Sequence, residues 1–316
     1  MSMIPREKFK PHGEDVCLHI YNHCTEGVQK DYPLGEDREK RKMVSLLHYY
    51  LQKYNIKCLA YSIMSNHFHL CVIVKKDPFT CSQMAEAYKR FTRGKFDLHP
   101  ENEHIKRLQK NSNNISEFMR EFQRGFTMWY NKTRDFKRRG TLWEARFKCS
   151  KLAGRDAVTH GLKYVELNPI RAGIVKRLQD YEFTSYAKWH NSGRHPFGTN
   201  MKRYFMPLVS DFLTGRKMSD LKLYLDDSYK AIIAFEGGAT MQELDKLLGR
   251  VKSNPHQSKS LLQKSRYWVD GVVISDEEHY GYEMCQLLGR ERAARHFKSK
   301  CFAGEAALYS LRHFTK

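Results

Sequence analysis

The stretch KCLAYSIMSNHFHLCVIV, residues 57–74, decides the fold of this chain. Apolar and β-branched residues fill both halves of it, and the polar pair Ser65–Asn66 between them is typical of a tight turn. Two such runs across a short turn predict a β-hairpin. In the second run His67 and His69 stand two positions apart, so both imidazoles should leave the same face of the strand.

The sequence on either side of this hairpin predicts further strands and helices. A strand is expected at 16–24 and another at 146–152. Apolar periodicity predicts helices at 37–55, at 81–91, after Asn114 and at 155–168. Pro169 should end the last of these at Asn168, because the residue before a proline disfavours helix. The remainder, 191–316, shows several short helical patterns and predicts a mainly helical region.

Composition and charge narrow the class of protein. The chain has 316 residues, with 55 Lys and Arg against 35 Asp and Glu, a net charge of +20. Such a surface favours polyanions, nucleic acid above all. No apolar run reaches the roughly 18–20 residues of a membrane span, and the polar, basic start is unlike a secretory signal. We therefore expect a cytoplasmic protein with no membrane partner. Its 8 cysteines form no CxxC pair, which argues against a zinc finger.

The histidine pair and one helix carry candidate chemistry. Two neutral imidazoles on one strand, His67 and His69, could hold a divalent cation, although hydrogen-bonded sheet histidines would give the same pattern. On the helix before Pro169, Tyr164 and Asn168 are spaced i, i+4 and project together. Their alternative role is a surface tyrosine and a polar helix end. A different side of that helix, the one expected to face the core, is formed by Val158, Leu162 and Val165.

Taken together, these groups predict phosphoryl-transfer chemistry. A tyrosine hydroxyl can attack a DNA phosphodiester and form a covalent phosphotyrosine. Its unperturbed pKa is about 10, so the reaction needs assistance at neutral pH. A cation held by two imidazole nitrogens and one amide oxygen would polarise the phosphate. A set without thiolate or carboxylate suits Mg²⁺ or Mn²⁺ and leaves zinc open.

Three segments resemble the HUH single-tyrosine transposases, in particular their REP-associated branch, relatives of insertion-sequence transposases. SNHFHL (65–70) resembles the H-hydrophobic-H signature, and GTLWEARFKCSKL (140–152) resembles a G-x-L-W-x-x-R-F-K-S segment. YVELNPIRAGIV (164–175) resembles the tyrosine-helix signature. The order and spacing of the three match over roughly residues 14–190.

The resemblance implies an α+β fold, a ferredoxin-like antiparallel sheet with helices. It implies a catalytic domain at 1–190, followed by the helical region 191–316 as a DNA-binding or partner-docking module. Tyr164 would be the nucleophile that forms a 5′-phosphotyrosine. The implied metal ligands are His67, His69 and Asn168.

The resemblance also implies the substrate and the setting. The family acts on single-stranded DNA beside imperfect hairpins, and it cuts and rejoins strands without nucleotide hydrolysis. The implied protein is a bacterial, cytoplasmic and nucleoid-associated monomer or homodimer.

A basic loop is the predicted DNA-contacting rim. Cations there could track phosphates, and Trp143 or Phe136 could stack on an unpaired base; a solvated basic loop is the alternative. By contrast, Tyr130 lies among apolar helix positions and is expected in the core. The predicted DNA-binding residues are Lys132, Arg134, Lys137, Arg138, Arg139, Trp143 and Arg146.

Two other functions stay open at this point. A catalytically inactive or domesticated hairpin-binding protein could keep the same fold, although binding alone does not require Tyr164, two histidines and Asn168 together. A replication or conjugation nuclease would use the same chemistry, but the L-N-P-x-R-A-G segment at 167–173 favours the transposase branch.

Overall fold

The structure, a computed structural model, describes residues 11, 13–25, 32–134, 139–152 and 154–205. The chain divides into two compact units. Of the described residues, the first unit holds those up to Lys151 together with Asn168–Asn200, and the second holds Leu152–Leu167 and those from Met201 onwards. Most of the predicted helical region 191–316 lies outside the described residues, so that prediction and the domain boundary at 190 stay predictions.

Strands and helices lie close to where the sequence patterns predict them. The polar stretch between β3 and α4 holds two helices, and the second of these, α3, was not predicted; Asn102 begins it by accepting a hydrogen bond from the His104 amide at 2.9 Å. The main elements are β1 Val16–His23, α1 Asp37–Leu51, β2 Ile56–Ile63, β3 His67–Val74, α2 Cys81–Phe91, α3 Glu103–Lys110, α4 Ile115–Lys132, β4 Lys148–Lys151, α5 Gly154–Arg171 and α6 Ser185–Ser192. Short helical turns lie at Leu178–Asp180, Gly198–Asn200 and Met201–Phe205.

The sheet has the order β2-β3-β1-β4. β3 pairs antiparallel with both β1 and β2, and β4 pairs antiparallel with β1. The strands and the helices between them follow one another as β-α-β-β-α-β, with an extra helical pair before α4. This is the ferredoxin-like arrangement, so the predicted α+β fold with an antiparallel sheet is confirmed.

One face of the sheet forms the core with α1 and α4. Leu18 and Ile20 of β1 and Phe68 and Leu70 of β3 are fully buried there. α4 begins at Asn114, whose side chain accepts hydrogen bonds from the amides of Ser116 and Glu117. The residues that α1 and α4 add to this core include Met43, Leu47, Phe118, Phe122, Phe126 and Tyr130, which confirms the expected burial of Tyr130.

The prediction that Pro169 ends the fifth helix is wrong. α5 continues through Pro169 to Arg171. A proline this near the helix end removes one backbone hydrogen bond while the rest of the last turn forms. The helix ends at Gly173, which has the left-handed φ of 68°. The amide of Gly173 bonds to the Ile170 carbonyl and that of Ile174 to the Pro169 carbonyl, both at 2.9 Å, which satisfies the final carbonyls.

The β2 edge of the sheet is covered by the segment that enters α6. The Ile63 amide donates to the Phe183 carbonyl at 3.0 Å, and the Tyr61 amide donates to Ser185 Oγ at 3.0 Å. A backbone bridge joins Ser62 and Thr184 between them. The outer edge of β2 is therefore paired, while β4, with four residues, forms the other end of the sheet.

Within the ranges that the structure describes, no helix combines the length and the apolar character that crossing a bilayer requires.

Candidate functional site

The second face of the sheet carries a group of aromatic and imidazole rings. His67 and His69 of β3 leave the face opposite to Phe68, as the alternation predicts. β1 adds His19, Tyr21 and His23 to the same face, because Tyr21 pairs with His69 and His23 pairs with His67. We call these five residues the histidine face. Its His19–His69 end is buried, and its His67–His23 end is partly exposed.

His69 is held by His19 at the buried end. His69 Nδ1 lies 2.9 Å from His19 Nε2, so one of the two nitrogens donates to the other. Burial lowers the pKa of His19 to about 4. Burial, followed by the charges of His19, His67 and His23, lowers the pKa of His69 well below its usual value. Both rings are therefore neutral at pH 7. When Nδ1 of His69 is the donor, its lone pair lies on Nε2 and can bind a cation.

His67 connects the sheet to α5. Its Nδ1 lies 2.6 Å from Asn66 Oδ1, and its Nε2 lies 3.4 Å from Asn168 Oδ1. Because Asn66 Oδ1 can only accept, Nδ1 donates to it, and the lone pair of the neutral ring lies on Nε2. Burial and then the charge of His23 lower the pKa of His67 to about 4, against a smaller opposing contribution from Asn168. Two acceptors, His67 Nε2 and Asn168 Oδ1, therefore face each other.

This arrangement fits a bound cation. Two ligand atoms about 2.1 Å from one ion are about 3.0 Å apart in octahedral and about 3.4 Å apart in tetrahedral geometry. The spacing of His67 Nε2 and Asn168 Oδ1 is 3.4 Å. In the part of the chain that the structure describes, no group of three or more His, Cys, Asp or Glu side chains is arranged to hold a metal. The candidate ligand set is instead two imidazoles and one amide.

α5 carries the predicted nucleophile and the amide. Asn168 is buried and belongs to the first unit, whereas Tyr164 lies one helical turn earlier, in the second unit, and is partly exposed. The three residues predicted to form the core-facing side of this helix are all buried: Val158, Leu162 and Val165. The structure thus brings together His67, His69 and Asn168, and Tyr164 shares its helix with Asn168.

The basic loop is only partly available to DNA. Lys132, Arg139 and Arg146 are exposed, as a DNA-contacting rim requires. Arg134 is instead committed inside the fold, since its guanidinium lies 2.5 Å from the buried carboxylate of Glu39. Lys137, Arg138 and Phe136 lie outside the described residues.

The predicted stacking role of Trp143 is wrong. Its side chain is only 8% exposed, and its ring packs against Phe68 and Phe126 in the core. Its indole nitrogen donates to Thr127 Oγ1 at 3.2 Å. A ring held on all these sides cannot also stack on a nucleotide base.

Sequence reasoning missed the contribution of β1 to the site. The run HIYNH at 19–23 places three rings at alternating positions, the same period that identified His67 and His69. Its alternation predicts a strand but does not by itself point to a site. The signal was therefore present, and its pairing with β3 required the sheet register.

Comparison with known proteins adds one solved structure. No protein-family model and no curated protein sequence matches this chain. The chain is similar to a REP-associated tyrosine transposase bound to a REP hairpin, with 15% identity and a TM-score of 0.40. The similarity covers 62% of this chain and 90% of that one. A likeness of this size supports no inference about activity, so the functional conclusion depends on the geometry of the histidine face and α5.

Proposed function

We propose that this chain is a metal-dependent DNA strand transferase, a transposase that cleaves single-stranded DNA beside hairpins and rejoins the strands. The observation that carries the proposal is the 3.4 Å approach of Asn168 Oδ1 to His67 Nε2. It joins α5 to the histidine face across 101 positions of sequence. The two acceptors are neutral and face each other, which suits a shared divalent cation; the choice of Mg²⁺ or Mn²⁺ rests on a ligand set without thiolate, and the 3.4 Å spacing does not select them.

Tyr164 is the nucleophile in this proposal. One helical turn, about 6 Å of rise, separates it from Asn168, so the two side chains leave α5 on the same side. The Tyr164 oxygen attacks the scissile phosphorus and forms a 5′-phosphotyrosine as the bond from phosphorus to the 3′ oxygen breaks. The phenol proton passes to solvent, and the released strand ends in a 3′-hydroxyl. Attack by another 3′-hydroxyl reverses the step and joins strands without nucleotide hydrolysis.

The remaining groups have supporting roles. His67, His69 and Asn168 would hold the cation, and Asn66 and His19 orient the two rings through their other nitrogens. The bound ion supplies Lewis-acid polarisation of the phosphate and stabilises the charge that develops on its oxygens. The exposed cations Lys132, Arg139 and Arg146 contact the DNA backbone. A DNA substrate of this kind suits a bacterial cytoplasmic protein at the nucleoid.

A covalent-trapping experiment tests the proposal. The protein is incubated with Mn²⁺ and a library of stem-loop oligonucleotides that carry a randomised single-stranded flank, and adducts that survive SDS are recovered and sequenced. We expect an adduct with the wild type and none with Tyr164→Phe. Tyr21→Phe is the matched control, because Tyr21 is a second tyrosine that lies on the histidine face itself. Tight hairpin binding without any adduct would support the inactive hairpin-binding protein instead.

A further inference from the structure

β4 presents one lysine to each face of the sheet. Lys148 pairs with Tyr21 of β1, and Lys151 pairs with Leu18. Residues directly opposite each other in an antiparallel pair share a face. Lys148 therefore lies on the face of Tyr21 and His69, whereas Lys151 lies on the core face of Leu18. The register places His69, Tyr21 and Lys148 in one row across three strands.

The ammonium group of Lys148 lies at the rim of the histidine face. Its Nζ is 5.7 Å from the centre of the Tyr21 ring, and that ring is 5.7 Å from the ring of His69. Lys148 is exposed, so its stem lies along Tyr21 while its charge stays in solvent. Lys148 therefore borders the row of Tyr21 and His69 on the side of Tyr21, whose ring is partly exposed.

Lys148 forms no ion pair with a carboxylate among the residues that the structure describes. Several other lysines are paired, for example Lys53 with Glu121 at 2.7 Å and Lys106 with Glu101 at 3.0 Å. An exposed ammonium beside rings that carry no charge attracts an anion to that row.

We infer that Lys148 binds a non-bridging oxygen of the scissile phosphate at the rim of the histidine face. This inference rests on the proposed function, because it requires a phosphodiester held next to His67 and His69. A lysine acts as a point charge toward phosphate, and it complements the negative charge that the phosphoryl group carries during transfer. Lys148 is then a catalytic residue that neither the histidine pair nor the tyrosine helix reveals.

Two other roles for Lys148 make different predictions. A lysine on the last strand of a sheet can simply prevent edge-to-edge association, and a cation over a tyrosine ring can simply stabilise the fold. Both roles concern the protein without DNA. Neither depends on the charge of one phosphate in the substrate.

The test compares two substrates that differ only at one non-bridging position of the scissile phosphate, where a methyl group replaces the charged oxygen. An oligonucleotide recovered from the trapping library is prepared with its natural scissile phosphate and with an uncharged methylphosphonate at that position. We expect Lys148→Gln to slow adduct formation on the natural phosphate by roughly 30–100-fold and to have little effect on the methylphosphonate. Lys148→Arg should retain most of the rate. Lys151→Gln is the matched control on the other face and should react like the wild type on both substrates.

The outcomes separate this inference from the proposed function. If the wild type forms an adduct and Lys148→Gln reacts as fast as Lys151→Gln, the inference is wrong and the proposed function stands. A defect of equal size on both substrates also overturns it, since the phosphate charge then plays no part. If the wild type forms no adduct with any member of the library, the proposed function fails and this inference fails with it. Mn²⁺ binding, followed by electron paramagnetic resonance, should be unchanged in Lys148→Gln.

Discussion

The chain contains two clusters of buried polar side chains, one neutral and one charged. On the histidine face, burial lowers the pKa values of His19, His67 and His69, so three close imidazoles are neutral. On the other side of the sheet, Glu39 is buried next to α4 and forms an ion pair with Arg134, whose guanidinium also lies 3.9 Å from the centre of the Tyr130 ring.

Because of this difference, substitutions in the two clusters should affect different properties, cleavage in one case and folding stability in the other. Neutral imidazoles keep their lone pairs for a ligand, and removing one leaves no charge unbalanced. In the Glu39–Arg134 pair the carboxylate is fully buried and the guanidinium side chain is 22% exposed, so removing Arg134 leaves the Glu39 charge buried and uncompensated. We therefore expect substitutions on the histidine face to affect cleavage more than folding, and substitutions in the ion pair to do the reverse.

The largest effect is expected on cleavage by His67→Ala. Loss of a proposed metal ligand should lower the rate of adduct formation by roughly 10³-fold, while hairpin affinity stays nearly unchanged. Single-turnover adduct formation and fluorescence anisotropy measure the two quantities. His190→Ala, an exposed histidine on α6, is the control. Equal losses of binding and cleavage would contradict the assignment of His67.

The next effect concerns the ion pair. Glu39→Gln should lower the free energy of unfolding by about 2–3 kcal/mol, because the Arg134 guanidinium, which is only partly exposed, then loses its charged hydrogen-bond partner. Urea unfolding followed by circular dichroism measures the loss. Glu182→Gln is the matched control, since Glu182 pairs with Arg41 at 3.2 Å on the surface and its side chain is 57% exposed. That variant should change stability by less than about 1 kcal/mol. Similar losses in both variants would show that the burial of Glu39 is unimportant.

A third polar group, the partly buried His195, extends the comparison to pH. The Phe197 amide donates to His195 Nδ1 at 3.0 Å, a contact that a protonated ring cannot keep. Burial lowers the pKa of His195 to about 4 from 6.5. The unfolded chain therefore binds this proton first, and the contribution of His195 to stability is complete above pH 6.5 and is lost as the pH falls to 4.

The expected size of that loss is about 2 kcal/mol. Urea unfolding at a series of pH values measures it, and His195→Gln should flatten the acid side of the curve. A wild-type curve that is as flat as that of the variant between pH 6.5 and pH 4 would contradict the role given to His195.

The smallest effect is expected on DNA affinity, from the exposed lysine and arginine side chains of the basic loop. DNA affinity should fall about tenfold or more between 50 and 200 mM salt, because bound phosphates release their counterions. Replacing Lys132, Arg139 and Arg146 by glutamine should reduce the slope of affinity against salt. Arg134→Gln should leave the slope unchanged, since that side chain is already paired with Glu39. Anisotropy titrations give both slopes, and a flat salt response would remove the argument from charge.

The strands and the histidine pair could be predicted because their signals are local. Alternation alone assigns His67 and His69 to one face and Phe68 to the other. Trp143 could not be placed in the same way. It stands in a loop with no periodicity, and its burial depends on Phe68 and Phe126, which are distant in sequence.

The end of α5 shows a different kind of error. Pro169 is a strong local signal, but it removes one backbone hydrogen bond and α5 runs only two residues beyond it. The glycine that ends the helix, Gly173, lies four residues later. The contact of Asn168 with His67 requires α5 to lie against β3. The spacing of Tyr164 and Asn168 along the sequence gives no information about that packing.

The pairing of Phe183, Thr184 and Ser185 along β2 has a consequence for shortened versions of this protein. A chain that stops before Phe183 would leave the backbone amides of Tyr61 and Ile63 without these acceptors. Bare strands of this kind recruit strands from other molecules. Such a truncated protein would self-associate even though every proposed ligand and the nucleophile were still present, and its lack of activity would say nothing about the chemistry.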